Sequence, residues 1–481
     1  MYTSASTLAL AGGLFAATGA AAETVHGVLV FSRHGDRTAK HFGNTVLTSL
    51  GAQQVFQVGS DYRARYLASD SPHRISNISE FEYVPAQVWA SAPDQAILLN
   101  TATSFLQGLY PPLGDVKPAL ATTSLANGSS VSSPLSGYQY VTLHGVDDAS
   151  AETVWIKGDD NCPAVTAASA SFNLSTEYQS RVATTRDFYR SLYPLLSDYY
   201  SSADDISYTK AYDIFDLVNV ERIHNASSPA HNITDAQLVQ LRTLADSAEF
   251  GANFNASQPA RYIHARTFAG AVLSHLNQSV SGQNPKFTLL AGSYDTFLAF
   301  FGLANLTSVS TDFYGLPDYA STMAFELFTP TAGLDVGQLH VRYLFRNGTQ
   351  GTLTAYPLFG SGKTELPWSK FVDAMRQRGI SDVETWCGEC QSSAVFCAAY
   401  NNNGNGAGSV TAVDADDGGS VSRGSWNAVL VVMVVAIAAN LVWAGLWLVK
   451  RQKKQAVASK PAVAVAKGSD SFRSYDGMES V

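Results

Sequence analysis

The sequence is short of charged residues, and the few that it has are mostly acidic. Only 15% of its 481 residues are Asp, Glu, Lys or Arg, and 40 acidic against 31 basic side chains give a formal net charge of −9. Binding to nucleic acid requires a broad basic surface, so we expect no nucleic-acid partner. Apolar residues make up 46% of the chain, which at this length can form a large buried core.

Cysteine is also scarce, and its spacing argues against a zinc site. The four cysteines are Cys162, Cys387, Cys390 and Cys397. A zinc site would need a second Cys-x-x-Cys pair or nearby histidines to complete the ligand set, and the sequence has neither. An even number of cysteines instead predicts two disulfide bonds in an oxidising compartment. Four cysteines allow three pairings, and their spacing does not choose among them.

Two long apolar segments lie near the ends of the chain and predict its topology. Residues 1–22 finish in "TLALAGGLFAATGAAA", which predicts a cleaved signal peptide. Residues 426–449 are 24 residues without a charge, enough to cross a bilayer, with tryptophans near both ends. The tail 450–481 carries seven basic and three acidic residues, so we expect it in the cytosol. These features predict a single-pass type I membrane protein of the plasma membrane or of the secretory or vacuolar pathway.

The segment between these ends is predicted to be a folded and glycosylated ectodomain. Residues 401–425 are polar and rich in glycine, which indicates a flexible linker, so the folded part spans residues 23–400. This part contains nine Asn-x-Ser/Thr sequons, and the tail contains none. The sequons lie at Asn77, Asn127, Asn173, Asn225, Asn232, Asn255, Asn277, Asn305 and Asn347. Together they predict N-linked glycans on the extracellular or luminal side.

Strand patterns alternate with helix patterns along the ectodomain. The apolar stretches "TVHGVLVF", "AQVWAS" and "KFTLLAG" predict strands, and each is followed by a segment with helical spacing. This alternation predicts an α/β fold with a mostly parallel sheet flanked by helices. We expect a smaller helical cap inserted at about 115–285, and one transmembrane helix beyond the ectodomain. Ligands of such sheets bind beyond the carboxyl ends of the strands.

Two polar segments follow directly after predicted strands. "SRHGDR" places His34 between Arg33 and Arg37 at the end of the first strand, and "SYDT" places Asp295 at the end of another. Two arginines destabilise a protonated histidine between them and attract an anion. On an acidic protein, such a local basic cluster predicts a pocket for a small anion.

These segments resemble the histidine acid phosphatases, a family of the phosphoglycerate-mutase-like superfamily. The likeness rests on the R-H-G-x-R motif after the first strand, and on "LTSLGAQQVFQVGSDYRARY", "FLQGLYPP", "AFELF" with Glu326, and "HVRYLFRNGT". It covers most of residues 23–400. The resemblance implies that His34 is the nucleophile and that Arg33 and Arg37 bind the phosphoryl oxygens. It further implies that Asp295 protonates the leaving alcohol, with no metal or cofactor.

The chain departs from the family pattern at two phosphate-binding positions. The family usually has a histidine before the catalytic aspartate, where this chain has Tyr294, whose hydroxyl is predicted to donate a hydrogen bond to phosphate. A third arginine is usual at the end of the second strand, where this chain has Gln95 or Ala96. No arginine occurs between residues 74 and 181. His264 and Arg266 are further candidates without an assigned role.

The sequence therefore predicts an acid phosphatase that hydrolyses small phosphomonoesters through a phosphohistidine. The alternative is a catalytically weak relative that binds a phosphorylated ligand or serves as a surface glycoprotein. A phosphoglycerate-mutase-type transferase is less compatible with the predicted signal peptide and membrane span, because its substrates are cytosolic. The intact residues Arg33, His34, Arg37 and Asp295 favour the enzyme.

Overall fold

The computed structural model describes residues 23–281 and 285–401. The predicted signal peptide, almost all of the linker, the predicted span 426–449 and the tail 450–481 lie outside these residues. Within the described ranges, no helix is both long enough and apolar enough to cross a membrane. The transmembrane prediction therefore stays a prediction.

Ten strands and fourteen helices make up the described part of the chain. The strands are β1 Thr24–Arg33, β2 Val88–Pro93, β3 Thr122–Ser124, β4 Ser130–Ser132, β5 His144–Val146, β6 Phe287–Gly292, β7 Thr322–Thr329, β8 His340–Arg346, β9 Thr354–Ala355 and β10 Glu365–Pro367. The helices are α1 Ser49–Tyr66, α2 Ala96–Leu109, α3 Leu113–Val116, α4 Pro134–Gly137, α5 Pro163–Phe172, α6 Thr176–Thr184, α7 Arg186–Leu196, α8 Ala211–His224, α9 Asp235–Asn253, α10 Ile263–Val280, α11 Tyr294–Leu303, α12 Trp368–Arg378, α13 Val383–Cys390 and α14 Ala398–Asn401.

Eight of the strands form one central sheet in the order β10–β8–β7–β1–β6–β2–β5, with β9 paired to β8. Strands β5, β2, β6 and β1 are parallel to one another, whereas β7 is antiparallel to both β1 and β8. Five of the eight strands therefore point the same way, which agrees with the predicted mostly parallel sheet. The three predicted strands are β1, β2 and β6, which lie beside one another.

Helices cover both faces of this sheet, as predicted. Along β1 the side chains alternate, so that Val28 and Val30 pack with α1 and α2, whereas Leu29 and Phe31 pack with α10 and α11. The predicted helix after the first strand is α1, with Val55, Val58, Tyr62 and Tyr66 buried. The predicted helix after the second strand is α2, which begins at Ala96, three residues after Pro93 ends β2.

The chain between β5 and β6 is helical and has a hydrophobic core of its own. Tyr189, Leu192, Ile214, Leu217 and Leu241 are fully buried members of this core, which lies among α5–α9. Helix α10 also falls within the predicted cap insertion, yet its residues belong to the core beside β1. The limits 115–285 proposed for the cap stay a prediction.

Both predicted disulfides form, and the structure decides their pairing. Cys162 bonds Cys390, and Cys387 bonds Cys397. The first bond joins the start of α5 to the end of α13 across 228 residues. All four cysteines are buried, and no free cysteine occurs in the described ranges.

Candidate active site

His34 lies at the carboxyl end of the central strand, next to the carboxyl end of β6. In the parallel pairing of these strands, Arg33 lies opposite Gly292. The residues that follow, His34 on one strand and Ser293 on the other, therefore start two neighbouring loops at one edge of the sheet. Because Ser293 caps α11, this pairing brings Tyr294 and Asp295 to the edge that carries the histidine motif.

The first turn of α1 packs directly on the motif. A Cβ added to Gly35 would lie 2.2 Å from the carbonyl oxygen of Gly51, so only glycine fits there. The Thr48 hydroxyl, at the N-cap of α1, donates to Oδ2 of the buried Asp36 at 2.5 Å. The His224 ring nitrogen Nε2 contacts the same oxygen at 2.6 Å. These contacts fix the backbone of the loop that carries His34.

The contacts of His34 define which ring nitrogen can attack a substrate. Its Nδ1 lies 2.8 Å from the carbonyl oxygen of Gly35, which can only accept, so Nδ1 carries the proton and Nε2 carries the free lone pair. Burial, followed by the positive charges of Arg33 and Arg37, holds the pKa of His34 well below its ordinary value. The imidazole is therefore neutral in mildly acidic solution, as a nucleophile requires.

Arg33 offers an unsatisfied cationic donor beside this histidine. Its Nη1 donates to the carbonyl oxygen of Pro317, whereas its buried Nε has no hydrogen-bond partner in the part of the chain that the structure describes. The guanidinium lies 5.2 Å from the ring centroid of Tyr294 and 4.8 Å from that of Tyr319. A buried guanidinium N–H without a partner is costly, so this position favours a bound anion.

Arg37, in contrast, is paired within the protein. Its Nη1 and Nη2 each lie 2.9 Å from an oxygen of Asp216, and Nη2 also donates to the Tyr212 hydroxyl at 3.0 Å. Arg37 and Asp216 are only 1% and 3% exposed. Arg37, which was predicted to bind phosphate, is therefore already held by the carboxylate of Asp216. Sequence reasoning missed this carboxylate.

Lys40 is a second residue that sequence reasoning missed. Its ammonium lies 4.9 Å and 5.1 Å from the ring centroids of Tyr212 and Tyr294. Burial, followed by the positive charge of Arg37, lowers the pKa of Lys40, and the carboxylates of Glu249 and Asp295 oppose this shift. The charge of Lys40 is in turn one of the causes that lower the pKa of His34. Its place three residues after Arg37 was the available signal, because a loop that starts at the site tends to stay near it.

Tyr294 lies at the site, although its hydroxyl is already engaged. The hydroxyl donates to Oε2 of Glu249, on α9, at 2.8 Å. Burial, followed by the charge of Glu249, raises the pKa of Tyr294 well above its ordinary value. Tyr294 could therefore donate to a phosphoryl oxygen only by giving up its bond to Glu249.

Asp295 is half-buried and has a second carboxyl group and a histidine as neighbours. The His264 ring donates through Nε2 to the Asp295 backbone carbonyl oxygen at 3.2 Å, so the structure brings this unassigned residue to the site. Burial, followed by the charge of Asp295, raises the pKa of Asp159 to about 6. Asp159 adjoins Gly158, which packs on the Cα of His264. A carboxyl group that keeps its proton to about pH 6 thus adjoins the predicted acid.

No cation among the described residues directly replaces the missing third arginine as a phosphate ligand. Gln95 and Ala96 are exposed. Lys157 and Gln95 both line a cavity of about 130 Å³ beyond the end of β2, but Lys157 is ion-paired with Asp160. The other unassigned candidate, Arg266, pairs with Glu389 on α13 and not with the motif.

Comparison with known proteins identifies the family. Residues 40–346 match the model of the histidine phosphatase superfamily (branch 2). The chain belongs to the histidine phosphatase superfamily. The match spans more than half of the chain and begins just after Arg37, so the R-H-G-x-R motif adds to it independently. No curated protein matches this histidine phosphatase.

The solved structures to which the chain is similar include phytases and an inositol polyphosphate phosphatase. Klebsiella sp. ASR1 phytase is 14% identical, with 74% of this chain and 96% of that chain covered and a TM-score of 0.49. Hafnia alvei phytase in complex with tartrate is 14% identical, with 75% and 98% covered and a TM-score of 0.49. Apo Bifidobacterium longum multiple inositol polyphosphate phosphatase is 13% identical, with 74% and 92% covered and a TM-score of 0.48.

Proposed function

We propose that this protein is an acid phosphatase that hydrolyses small phosphomonoesters through a phosphohistidine at His34. The observation that carries the proposal is a neutral buried imidazole beside the Nε–H of Arg33, where neither Nε2 of His34 nor that N–H has a hydrogen-bond partner among the described residues. A nucleophile beside a cationic donor is the minimum that phosphoryl transfer requires. Membership of the histidine phosphatase superfamily supports the same reaction class.

The proposed reaction has two displacement steps at phosphorus. In the first, Nε2 of His34 attacks phosphorus, the bond to the leaving alcohol oxygen breaks, and Asp295 gives that oxygen a proton. In the second, Asp295 takes a proton from water, the water oxygen bonds to phosphorus, and the phosphorus–nitrogen bond breaks. Inorganic phosphate leaves, and His34 returns to its neutral form. Arg33 and Arg37 balance the negative charge that develops on the phosphoryl oxygens.

Two observations favour a weaker second candidate, a protein that binds a phosphorylated ligand with little turnover. The hydroxyl of Tyr294 is bound to Glu249, and the exposed Gln95 supplies no charge. Each missing donor to phosphate removes transition-state stabilisation, at about 1.5–3 kcal/mol for a charged hydrogen bond. The enzyme is therefore expected to be slow on simple esters, and no detectable turnover with retained phosphate binding would favour this second candidate.

The charge around the site suits one phosphoryl group. Arg37 shares its charge with Asp216, and Lys157 is paired with Asp160, so Arg33 and Lys40 are the cations near the motif without an ion-paired carboxylate among the described residues. A highly phosphorylated ligand, such as the inositol phosphates of the phytases, would need additional unpaired cations. We therefore propose a substrate that carries a single phosphoryl group, with the highly phosphorylated phytate as the comparison substrate.

We expect the full-length protein, purified in mild detergent, to hydrolyse an aryl phosphate near pH 5 faster than it hydrolyses phytate. We also expect kcat/KM to fall as the pH rises through about 6. Asp159 has its pKa raised to about 6, so above that pH its ionisation adds a negative charge beside Asp295. This charge opposes binding of the anionic substrate and removes a proton from the neighbourhood of the acid. A pH profile of kcat/KM measures both effects.

Asp159→Asn is the matched test of this assignment, because the substrate's own second ionisation also falls near pH 6. The variant should keep activity at pH 5 and lose less activity than the wild type between about pH 6 and 7. Asp373→Asn, at an exposed position on α12, is the control. If kcat/KM of Asp159→Asn fell above about pH 6 as steeply as that of the wild type, the fall would be assigned to the ionisation of the substrate instead.

We further propose that the active site lies outside the cytosol, with the tail 450–481 inside. None of the nine sequon asparagines is buried in the structure, and seven of them are exposed, which suits glycan attachment. Protease added to intact cells should leave a C-terminal tag protected, and glycosidase treatment should lower the apparent mass. Digestion of the tag would reverse the proposed topology.

A further inference from the structure

Asp216 is a buried carboxylate that no step of the proposed reaction uses. It lies on α8 and is 3% exposed. Burying a charged carboxylate is costly unless several donors satisfy it, and removal of its partner leaves an uncompensated charge. The number of hydrogen-bond donors to Asp216, and the residues that supply them, therefore indicate its role.

Its two oxygens receive donors from two separate segments, the loop after β1 and the loop before β7. Oδ1 and Oδ2 each lie 2.9 Å from a terminal nitrogen of Arg37, and Oδ2 also accepts the backbone N–H of Lys40 at 2.9 Å. The Tyr319 hydroxyl, from the loop before β7, approaches Oδ1 at 3.4 Å. The Tyr319 ring in turn lies 5.6 Å from the His34 ring and 4.8 Å from the Arg33 guanidinium.

We propose, resting on the proposed function, that Asp216 is a positioning residue that holds the guanidinium of Arg37 for the phosphoryl group. A two-point contact fixes both the place and the rotation of a guanidinium, which a single hydrogen bond would leave free. The same carboxylate anchors the backbone of Lys40, the other cation that follows His34. Asp216 therefore acts through Arg37, which is its ion-pair partner among the described residues.

This arrangement predicts that Asp216→Asn has opposite effects on kcat/KM in the wild type and in Arg37→Ala. A residue that only stabilises the fold would not give this reversal. In the wild type, Asp216→Asn should lower kcat/KM about 10- to 100-fold, because Arg37 loses its fixed orientation. In Arg37→Ala, Asp216 is left as an unpaired negative charge near the phosphate. Asp216→Asn should therefore raise kcat/KM of that variant about 3- to 30-fold.

The experiment is a double-mutant cycle on the full-length protein, with kcat/KM for an aryl phosphate and Kd for inorganic phosphate measured in all four forms. Asp213→Asn on the same helix is the matched control, because Asp213 accepts from the Tyr200 hydroxyl at 3.0 Å rather than from Arg37. We expect it to change kcat/KM less than about threefold in both backgrounds. Asp216→Glu keeps the charge and should give no gain in Arg37→Ala.

The two readouts separate this inference from the proposed function. A wild type without turnover that binds inorganic phosphate would count against the function. In that case, opposite effects of Asp216→Asn on the Kd for phosphate in the wild type and in Arg37→Ala would still test the role of Asp216. Equal losses from Asp216→Asn in both backgrounds, or no loss in the wild type, would overturn the positioning role. If Asp216→Asn does not fold, a gain from Asp216→Glu in Arg37→Ala would overturn it as well.

Discussion

Replacing His34 with alanine is expected to lower kcat/KM for an aryl phosphate by about four to six orders of magnitude. The proposed reaction passes through a bond between phosphorus and Nε2 of this histidine. Of the other histidines near the motif, His264 directs its Nε2 at the Asp295 carbonyl oxygen, and His224 directs its Nε2 at Asp36. Rapid acid-free quenching of the wild type should trap phosphate that is labile in acid and stable in base. The trapped phosphate should be absent from His34→Ala.

The control for this experiment is His340→Ala. His340 starts β8, which runs in the same direction as β1, so it lies at the sheet edge opposite to His34. Its substitution should leave turnover within about threefold of the wild type. Full turnover by His34→Ala would exclude the phosphohistidine mechanism. Loss of turnover without any trapped phosphate in the wild type would place His34 in a role other than nucleophile.

The parallel half of the sheet could be predicted from sequence because its signals are local. Strands β1, β2 and β6 are short apolar runs, and each is followed by a segment with helical spacing. This alternation of strands and helices predicts a parallel order. Strand β7, in contrast, is buried on every residue from Thr322 to Thr329. A run without alternation does not distinguish a strand from a buried helix, so its antiparallel pairing with β1 could not be inferred from the pattern. The disulfide pairing likewise depended on the tertiary fold.

The site divides in the same way. Arg33, His34 and Arg37 are close in sequence, so their cooperation could be predicted from the motif alone. Asp216 contacts Arg37 across 179 residues, and it is a charged residue among buried residues of α8 that are mostly apolar. A helix pattern marks such a residue as an exception without saying which charge it meets. Residues that hold the catalytic groups are therefore the part of a site that sequence reasoning is least able to supply.

Arg33→Ala is expected to have the second largest effect, a loss of about two to four orders of magnitude in kcat/KM. This side chain has the buried Nε without a partner among the described residues, whereas Arg37 is already bound to a carboxylate. Arg33→Lys keeps the charge but loses the planar fork and the stacking on Tyr294 and Tyr319. It should therefore recover only part of the loss. Measurement of kcat/KM for an aryl phosphate across the acidic range tests both variants.

The pH profile adds a signature that distinguishes lost phosphate binding from general damage. The positive charge of Arg33 is one of the causes that hold the pKa of His34 low, after burial. Removing that charge raises the pKa, so more of the imidazole is protonated in acid and less of it can attack phosphorus. Arg33→Ala should consequently lose proportionally more activity at about pH 4 than at about pH 6, whereas Arg33→Lys should keep the wild-type profile.

Arg376→Ala, at an exposed position on α12, is the control and should change neither the rate nor the profile. If Arg33→Ala kept more than about a third of the wild-type kcat/KM, another cation would have to bind the phosphoryl group, and Lys40 would be the first to substitute.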